Sequence, residues 1–234
     1  MDNVGTFLSV IAQGLPETVI AAVGGIALTI VLSFAAGLAL LSPRRWVRVI
    51  SRIYVEGLRG TSEVVQLFWI FFALPVLVGF EIVPIWGGVL VLGLNHGAYG
   101  AEIVRGAIQS VPRAQYEGAL ALSLSPAQRM FRVILPQAVV EMIPPFNNLF
   151  IQLLKSTSLL SFVFISEITR QATQILVPRF NPQVLEIFLL LLLVYLVLSL
   201  IITSVMRLLE RKAAARLGRG PSQRARRAAV RGAV

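Results

Sequence analysis

At 234 residues, with 56% hydrophobic and only 14% charged side chains, the chain is too apolar for an ordinary water-soluble domain. It contains no cysteine, which excludes a disulfide frame, a thiolate metal site and thiol redox chemistry. The net charge of +10 does not imply nucleic acid: nine of the 21 basic residues lie between Arg207 and Arg231, and a basic flank beside anionic lipid accounts for them.

Several runs reach the roughly 20 apolar residues that cross about 30 Å of hydrocarbon. The fold class is therefore an all-α, polytopic membrane protein, because a helix satisfies its backbone polar groups within one segment. No Lys or Arg precedes Leu15, so no cleaved signal peptide is expected. The first span is expected over residues 17–41. Arg44, Arg45, Arg48 and Arg52 follow it, which puts that end in the cytoplasm and the N-terminus outside. Trp46 and Tyr54, with Val47, Ile50 and Ile53 at helical spacing, read as an interfacial helix. The second span is expected over 64–83, kinked where Pro75 and Gly79 fall.

The third span, 86–108, is the most polar in its middle. Asn95, Tyr99 and Glu102 share one helical face there, and Arg105 ends the span on the cytoplasmic side. Glu102 either faces a pathway or pairs with Arg105. His96 is the only histidine, so zinc chemistry is not expected and a packing or interhelical role is.

Residues 115–137, QYEGALALSLSPAQRMFRVILPQ, form a basic, water-compatible handle between apolar segments. Two short helices are expected in it, with Pro112 in the first turn of one. Ser125, Pro126 and Gln128 supply the cap, first position and capping box of the other. Glu117 on this surface is either a docking carboxylate for a cytoplasmic partner or a solvated charge.

The fourth span, 138–154, contains Pro144 and Pro145, which deprive the carbonyls of Val140 and Glu141 of helical donors. A break at membrane depth is expected, and Asn147, Asn148 and Gln152 beside it are candidates for lining a solute pathway. Hydrogen bonding between helices is the other reading of these amides. Glu141 likewise faces a bundle interior. Residues 156–183, with Glu167 and Arg170 a turn apart, read as an outer-face helix and loop. The last span is 184–206, nearly pure Leu, Ile, Val and Phe. Five spans leave the N-terminus outside and the C-terminus inside, with only Lys155, Arg170 and Arg179 outside among the basic residues. A transmembrane domain over 1–210 carries a cytoplasmic loop at about 112–136, and 211–234 reads as a disordered basic tail.

The chain has no G-x-x-x-x-G-K-[ST] phosphate loop and no nucleophile, base and orienter set, so it is expected to be non-catalytic, with no cofactor and no metal. It shows no internal repeat, so it makes one half of a two-fold pathway completed by a second subunit.

Glu117, Gly118 and Ala119, followed at the matching distance by Leu135 and Pro136, resemble the EAA loop of permease subunits of bacterial ATP-binding-cassette importers. Gly118 stands for the family's middle alanine, Ser123 for its glycine and Val133 for its isoleucine. Residues 59–75 and 95–108 are similar to the polar amino-acid branch, and 54–69 with 98–117 look most like ectoine and hydroxyectoine permeases. The likeness covers about 15–210. It implies a type I importer permease architecture in the bacterial cytoplasmic membrane. It also implies coupling to an ATPase through Glu117, Gly118, Ala119, Ser123, Leu135 and Pro136. The implied partners are two ATP-binding subunits, a second permease, identical or paralogous, and an extracytoplasmic solute-binding protein. The implied mechanism is alternating access. An ion-coupled carrier would call for paired intramembrane carboxylates and a duplicated fold, and a membrane scaffold would use the handle for another protein.

Overall fold

The computed structural model describes residues 3–79 and 83–216, and every regular element among them is a helix. In chain order these are α1 (Val4–Gln13), α2 (Leu15–Leu40), α3 (Arg45–Arg59), α4 (Glu63–Val78), α5 (Pro84–Gln109), α6 (Arg113–Ala121), α7 (Pro126–Val163), α8 (Ile168–Arg179) and α9 (Val184–Arg216). The expected disorder of the basic tail concerns mainly residues outside this description; within it, α9 continues to Arg216.

The core is organised by α5, which packs against α2, α3, α4 and α7. Fifteen of its 26 residues are buried against seven of the 26 in α2, so α5 is the inner helix and α2 lies over it. The buried face of α2 is a stripe of small residues at every fourth position: Ala21, Gly25, Thr29, Ser33 and Gly37. Across from it stand Gly93, Gly97 and Gly100. A Cβ on Gly37 would sit 2.7 Å from Cβ of Val104 and 2.8 Å from the Ala101 carbonyl oxygen. One on Gly97 would sit 2.8 Å from Cβ of Leu32. Lipid offers helices no hydrophobic incentive to associate, so contact of this closeness is what holds such a pair.

Proline is accommodated in a consistent way. The N–H of Leu74 bonds the carbonyl of Trp69, that of Leu135 the carbonyl of Met130, and that of Val177 the carbonyl of Ala172. Each bond reaches five residues back and immediately precedes a proline: Pro75, Pro136 or Pro178. A proline ring crowds the carbonyl four residues before it, and one widened π turn relieves that clash. α4 therefore continues through Pro75 without a break. Instead the chain turns by 101° between α3 and α4, at residues 60–62, and Gly79, at φ +76°, terminates α4. The expected break at Pro144 and Pro145 is also absent: Leu135–Ser156 is one α-helix. Proline φ is already helical, and each ring removes only its own donor. The bend in this region is 58°, between α7 and α8, where Phe164 adopts φ +66°.

Two elements depart further from the sequence reading. α1 is a separate helix that buries Phe7 and Ile11 against Ile168, Ala172, Leu176, Ile187 and Leu191. Glu167, in the stretch expected on the outer side, is 0% exposed and caps α8, accepting hydrogen bonds from the backbone N–H groups of Thr169 and Arg170, both at 2.7 Å. Among the described residues two helices, Leu15–Leu40 and Asn181–Ala215, are long and apolar enough to cross a membrane, or up to four spans if each bent pair counts as one. α5 has the length but carries Asn95, His96, Tyr99 and Glu102.

Gly37→Ala is expected to cost about 1–3 kcal/mol by overpacking. Gly106→Ala, where a Cβ meets nothing within 4 Å, should be neutral or stabilise by up to about 1 kcal/mol. Thermal unfolding of the two variants in detergent measures the contrast.

Candidate functional site

The handle is a built turn between two anchored helices. Pro112 lies just outside α6 with extended ψ of 140°, one residue earlier than the expected first turn. The hydroxyl of Tyr116 donates to the Ile108 carbonyl at 3.1 Å, fastening α6 to the end of α5. Partial burial raises the pKa of that hydroxyl, against the opposing charge of Arg129, so it remains a protonated donor. The side-chain amide of Gln137 donates to that of Gln115 at 3.1 Å and fastens α6 to α7. Ala119, 3% exposed, is the one buried residue of α6.

The helix ends in a Schellman motif. The N–H of Leu124 bonds the Ala119 carbonyl at 3.1 Å and that of Ser123 bonds the Leu120 carbonyl at 2.8 Å. The residue between must be left-handed, a position that favours glycine, and Ser123 occupies it at φ +55°. Ser125 then opens α7 with a complete capping box: its hydroxyl accepts from the Gln128 N–H at 3.3 Å, and its own N–H donates to the Gln128 side chain at 3.0 Å. The second handle helix is not separate. Through the π turn Arg129–Ile134 it runs into Leu135, Pro136 and the long α-helical body of α7.

Glu117 and Gly118 are exposed on this handle. Leu120, Leu122 and Phe131 are 61%, 75% and 61% exposed beside them. The carboxylate is the expected docking group; the three apolar side chains are an addition to it, and large apolar residues inside a polar loop are the sequence signal for them.

The polar residues singled out within the bundle fall into two sets. Asn95 is buried at the corner between α3 and α4, donating to the Leu58 carbonyl at 3.2 Å and to Gln66 at 3.1 Å. Gln66 in turn donates to Leu58 O at 2.8 Å and to the Thr61 hydroxyl at 2.7 Å, so the carbonyl freed at the end of α3 receives two amide donors. Tyr54 secures the same helix by donating to Leu94 O at 2.9 Å. A turn further along α5, Tyr99 lies under the Arg59 guanidinium at 5.1 Å, and Glu102 pairs with Arg105. The second set runs along α7: Glu141, Asn148, Gln152 and Lys155 are exposed at intervals that put them on one face. Asn147 is half-buried, and its side-chain oxygen is buried without a partner.

Residues 29–215 match the family described as the binding-protein-dependent transport system inner membrane component. The chain is 46% identical over 185 residues to a probable amino-acid ABC transporter permease protein of Sinorhizobium fredii, covering 77% of each. It is 35% identical to an L-cystine transport system permease protein of Bacillus subtilis, over 85% of this chain and 82% of that one. It is 34% identical to the glutamine transport system permease protein of Escherichia coli, over 88% and 93%. Among solved structures, a chain from an amino acid ABC transporter with histidines superposes with a TM-score of 0.79 at 28% identity, covering 88% of this chain and 95% of that one. A chain of an inward-facing methionine ABC transporter gives 0.73 at 18% identity, over 89% and 98%, and speaks for the fold alone. The chain belongs to this family and is an inner membrane component of a binding-protein-dependent transport system.

Proposed function

We propose that this chain is the permease subunit of an ATP-driven importer for polar amino acids or closely related solutes, working by alternating access. The observation that carries the reading is the handle: a capped, pinned helical turn that displays Glu117, Leu120, Leu122 and Phe131 and continues into α7. An exposed apolar cluster ringed by charge is a docking surface for a protein, and α7 gives it a lever into the bundle. The partners that fit are two ATP-binding subunits at the handle, a second permease across the polar face of α7, and an extracytoplasmic solute-binding protein.

The topology that goes with this function has five spans, α2, α4, α5, α7 and α9, with α3 as an interfacial helix. The N-terminus lies outside, and the arginines of α3, the handle and the end of α9 lie in the cytoplasm. Residues 1–210 form the permease domain and the basic segment beyond it is a cytoplasmic tail. Relatives named for amino acids, cystine and glutamine support the solute class. Ectoine and hydroxyectoine are the narrower proposal. Much of that likeness falls on Arg59, Gln66 and Tyr99, which hold the α3–α4 corner and its surroundings, so solute choice must come from other positions. Asn148 and Gln152 on the open face of α7 are the proposed pathway amides, with Asn147 beside them and Asn95, Tyr99 and Glu102 across the bundle.

The deciding experiment is uptake by vesicles holding the assembled importer, with labelled amino acids and ectoine as the panel. Accumulation only when the ATP-binding subunits and ATP are present supports the reading; accumulation without them favours an ion-coupled carrier. Glu117→Arg is expected to lower uptake at least about tenfold at unchanged expression, the equivalent of losing a charge-assisted hydrogen bond of about 1.5–3 kcal/mol. Ser123→Val should destabilise the handle by about 1–2 kcal/mol, while Ser123→Gly stays within about 1 kcal/mol of the parent. Amide hydrogen exchange over residues 113–128 reads both.

A further inference from the structure

Where α3 turns into α4, the first residue of α4 places a carboxylate inside the bundle. Glu63 faces His96, which lies midway along α5, with Oε1 of Glu63 3.5 Å from Nδ1 of the imidazole. Its other oxygen accepts the hydroxyl of Ser156, on α7, at 2.9 Å. Three helices therefore meet at one acidic group.

The donors at this point do not balance the acceptors. Nδ1 of His96 lies 3.1 Å from the Leu92 carbonyl, which can only accept, so the proton sits on Nδ1 and Nε2 carries a lone pair. That Nε2 is buried without a partner in a side chain 1% exposed. Oε1 of Glu63 is likewise buried without a hydrogen-bond donor. Among the described residues the carboxylate has no Lys or Arg partner; His96 is its one ion-pair contact. Arg59 is turned away onto Tyr99, and Lys155, adjacent to Ser156, is exposed. A buried carboxylate without a compensating cation costs several kcal/mol, and ionisable groups at membrane depth otherwise face a pathway.

We infer that Glu63, with His96 beside it, forms a subsite for the cationic N–H group of the transported solute, an ammonium or guanidinium that donates to Glu63 Oε1. The inference rests on the transport reading above and sharpens it to solutes carrying a protonated amine. Such a group supplies both what the site lacks, hydrogen-bond donors and positive charge. Ser156 orients the carboxylate, and the Leu92 carbonyl fixes the imidazole tautomer. The corner beside the site is open, with Thr61 and Ser62 exposed and Glu63 only partly buried as a residue, while Oε1 itself is covered.

The test uses the permease assembled with its ATP-binding subunits in nanodiscs, titrated with labelled arginine and competed with citrulline and with glycine betaine. Glu63→Gln is expected to weaken arginine binding at least about tenfold and Glu63→Asp less than about threefold. Betaine, which has no N–H, should compete at least about tenfold more weakly than arginine. Citrulline keeps the α-ammonium and loses the side-chain charge: parity with arginine assigns the subsite to the α-ammonium, and a loss of about tenfold assigns it to the side chain. The proposal is overturned if the wild type binds no arginine, if Glu63→Gln binds it within about twofold of wild type, or if betaine competes equally. Should Glu63→Gln fail to assemble, His96→Leu decides, with weakened arginine binding supporting the subsite and unchanged binding overturning it. Absence of ATP-driven uptake in the vesicle panel overturns the transport reading, whereas uptake with unchanged arginine binding in the variant overturns the subsite alone.

Discussion

The rest of the structure depends on the close approach of α2 to α5. In a bilayer, apolar side chains gain nothing by leaving lipid for one another, so two helices stay together through surface fit. Small residues at every fourth position of α2 bring its backbone against Gly93, Gly97 and Gly100 of α5, near enough that a single methyl group at Gly37 or Gly97 would collide. With α2 fixed on one side of α5, the other sides are free to take α3, α4 and α7. The polar groups of α5 then fall at those junctions. Asn95 meets the corner, His96 meets Glu63, and Tyr99 meets Arg59.

A second constraint makes the bundle mechanically useful. Pro75 in α4, Pro136 in α7 and Pro178 in α8 each follow a π turn that absorbs the clash of the ring with the preceding carbonyl, and the helix also continues through Pro144 and Pro145. In α7 this has a direct consequence. The second half of the handle, from Pro126 through Phe131, and the polar face with Asn148 and Gln152 belong to one continuous helix, while Glu117 sits on α6 and joins it through the turn at 122–125. The bends in the chain fall elsewhere, between α3 and α4 and between α7 and α8.

How much of this was legible in the sequence follows from what kind of interaction specifies each part. Local signals were readable. Ser125 and Gln128 announced a capping box, Glu102 and Arg105 an ion pair one turn apart, and the apolar runs the main helices. Ser123 was readable as a departure from a glycine position, and the left-handed turn there explains why glycine suits it. Non-local choices were not. Proline signals a kink only if nothing widens the preceding turn, and that is settled by backbone geometry with no residue signature. The 101° corner at 60–62 is held by Asn95, more than thirty residues away, so Gly60 and Thr61 alone did not mark it. α1 is short, and its burial depends on Ile168, Leu176 and Ile187 from the far end of the chain. Glu167 and Arg170 read only as residues one turn apart; the burial of Glu167 needs the fold to aim two backbone N–H groups at it.

The comparison of Glu167 with Glu63 separates structural from functional acids in this bundle. Both lie among apolar helices, but Glu167 is fully enclosed and accepts two short backbone hydrogen bonds at a helix N-terminus, with the Tyr195 hydroxyl 3.4 Å away. Donors and helix dipole answer its charge, so it serves as a capping residue and the protein needs nothing further there. Glu63 also begins a helix, yet its side chain turns from its own N-terminus toward Ser156 and His96, leaving one oxygen without a donor against an imidazole whose Nε2 is also without a partner. A fold that needed only stability would favour an apolar side chain at that position, since exchanging a poorly satisfied buried charge for a packed hydrophobe is often neutral or stabilising. The imbalance at Glu63 is thus an arrangement that becomes favourable only when something cationic arrives, which is the behaviour a transient binding site requires and a structural contact does not.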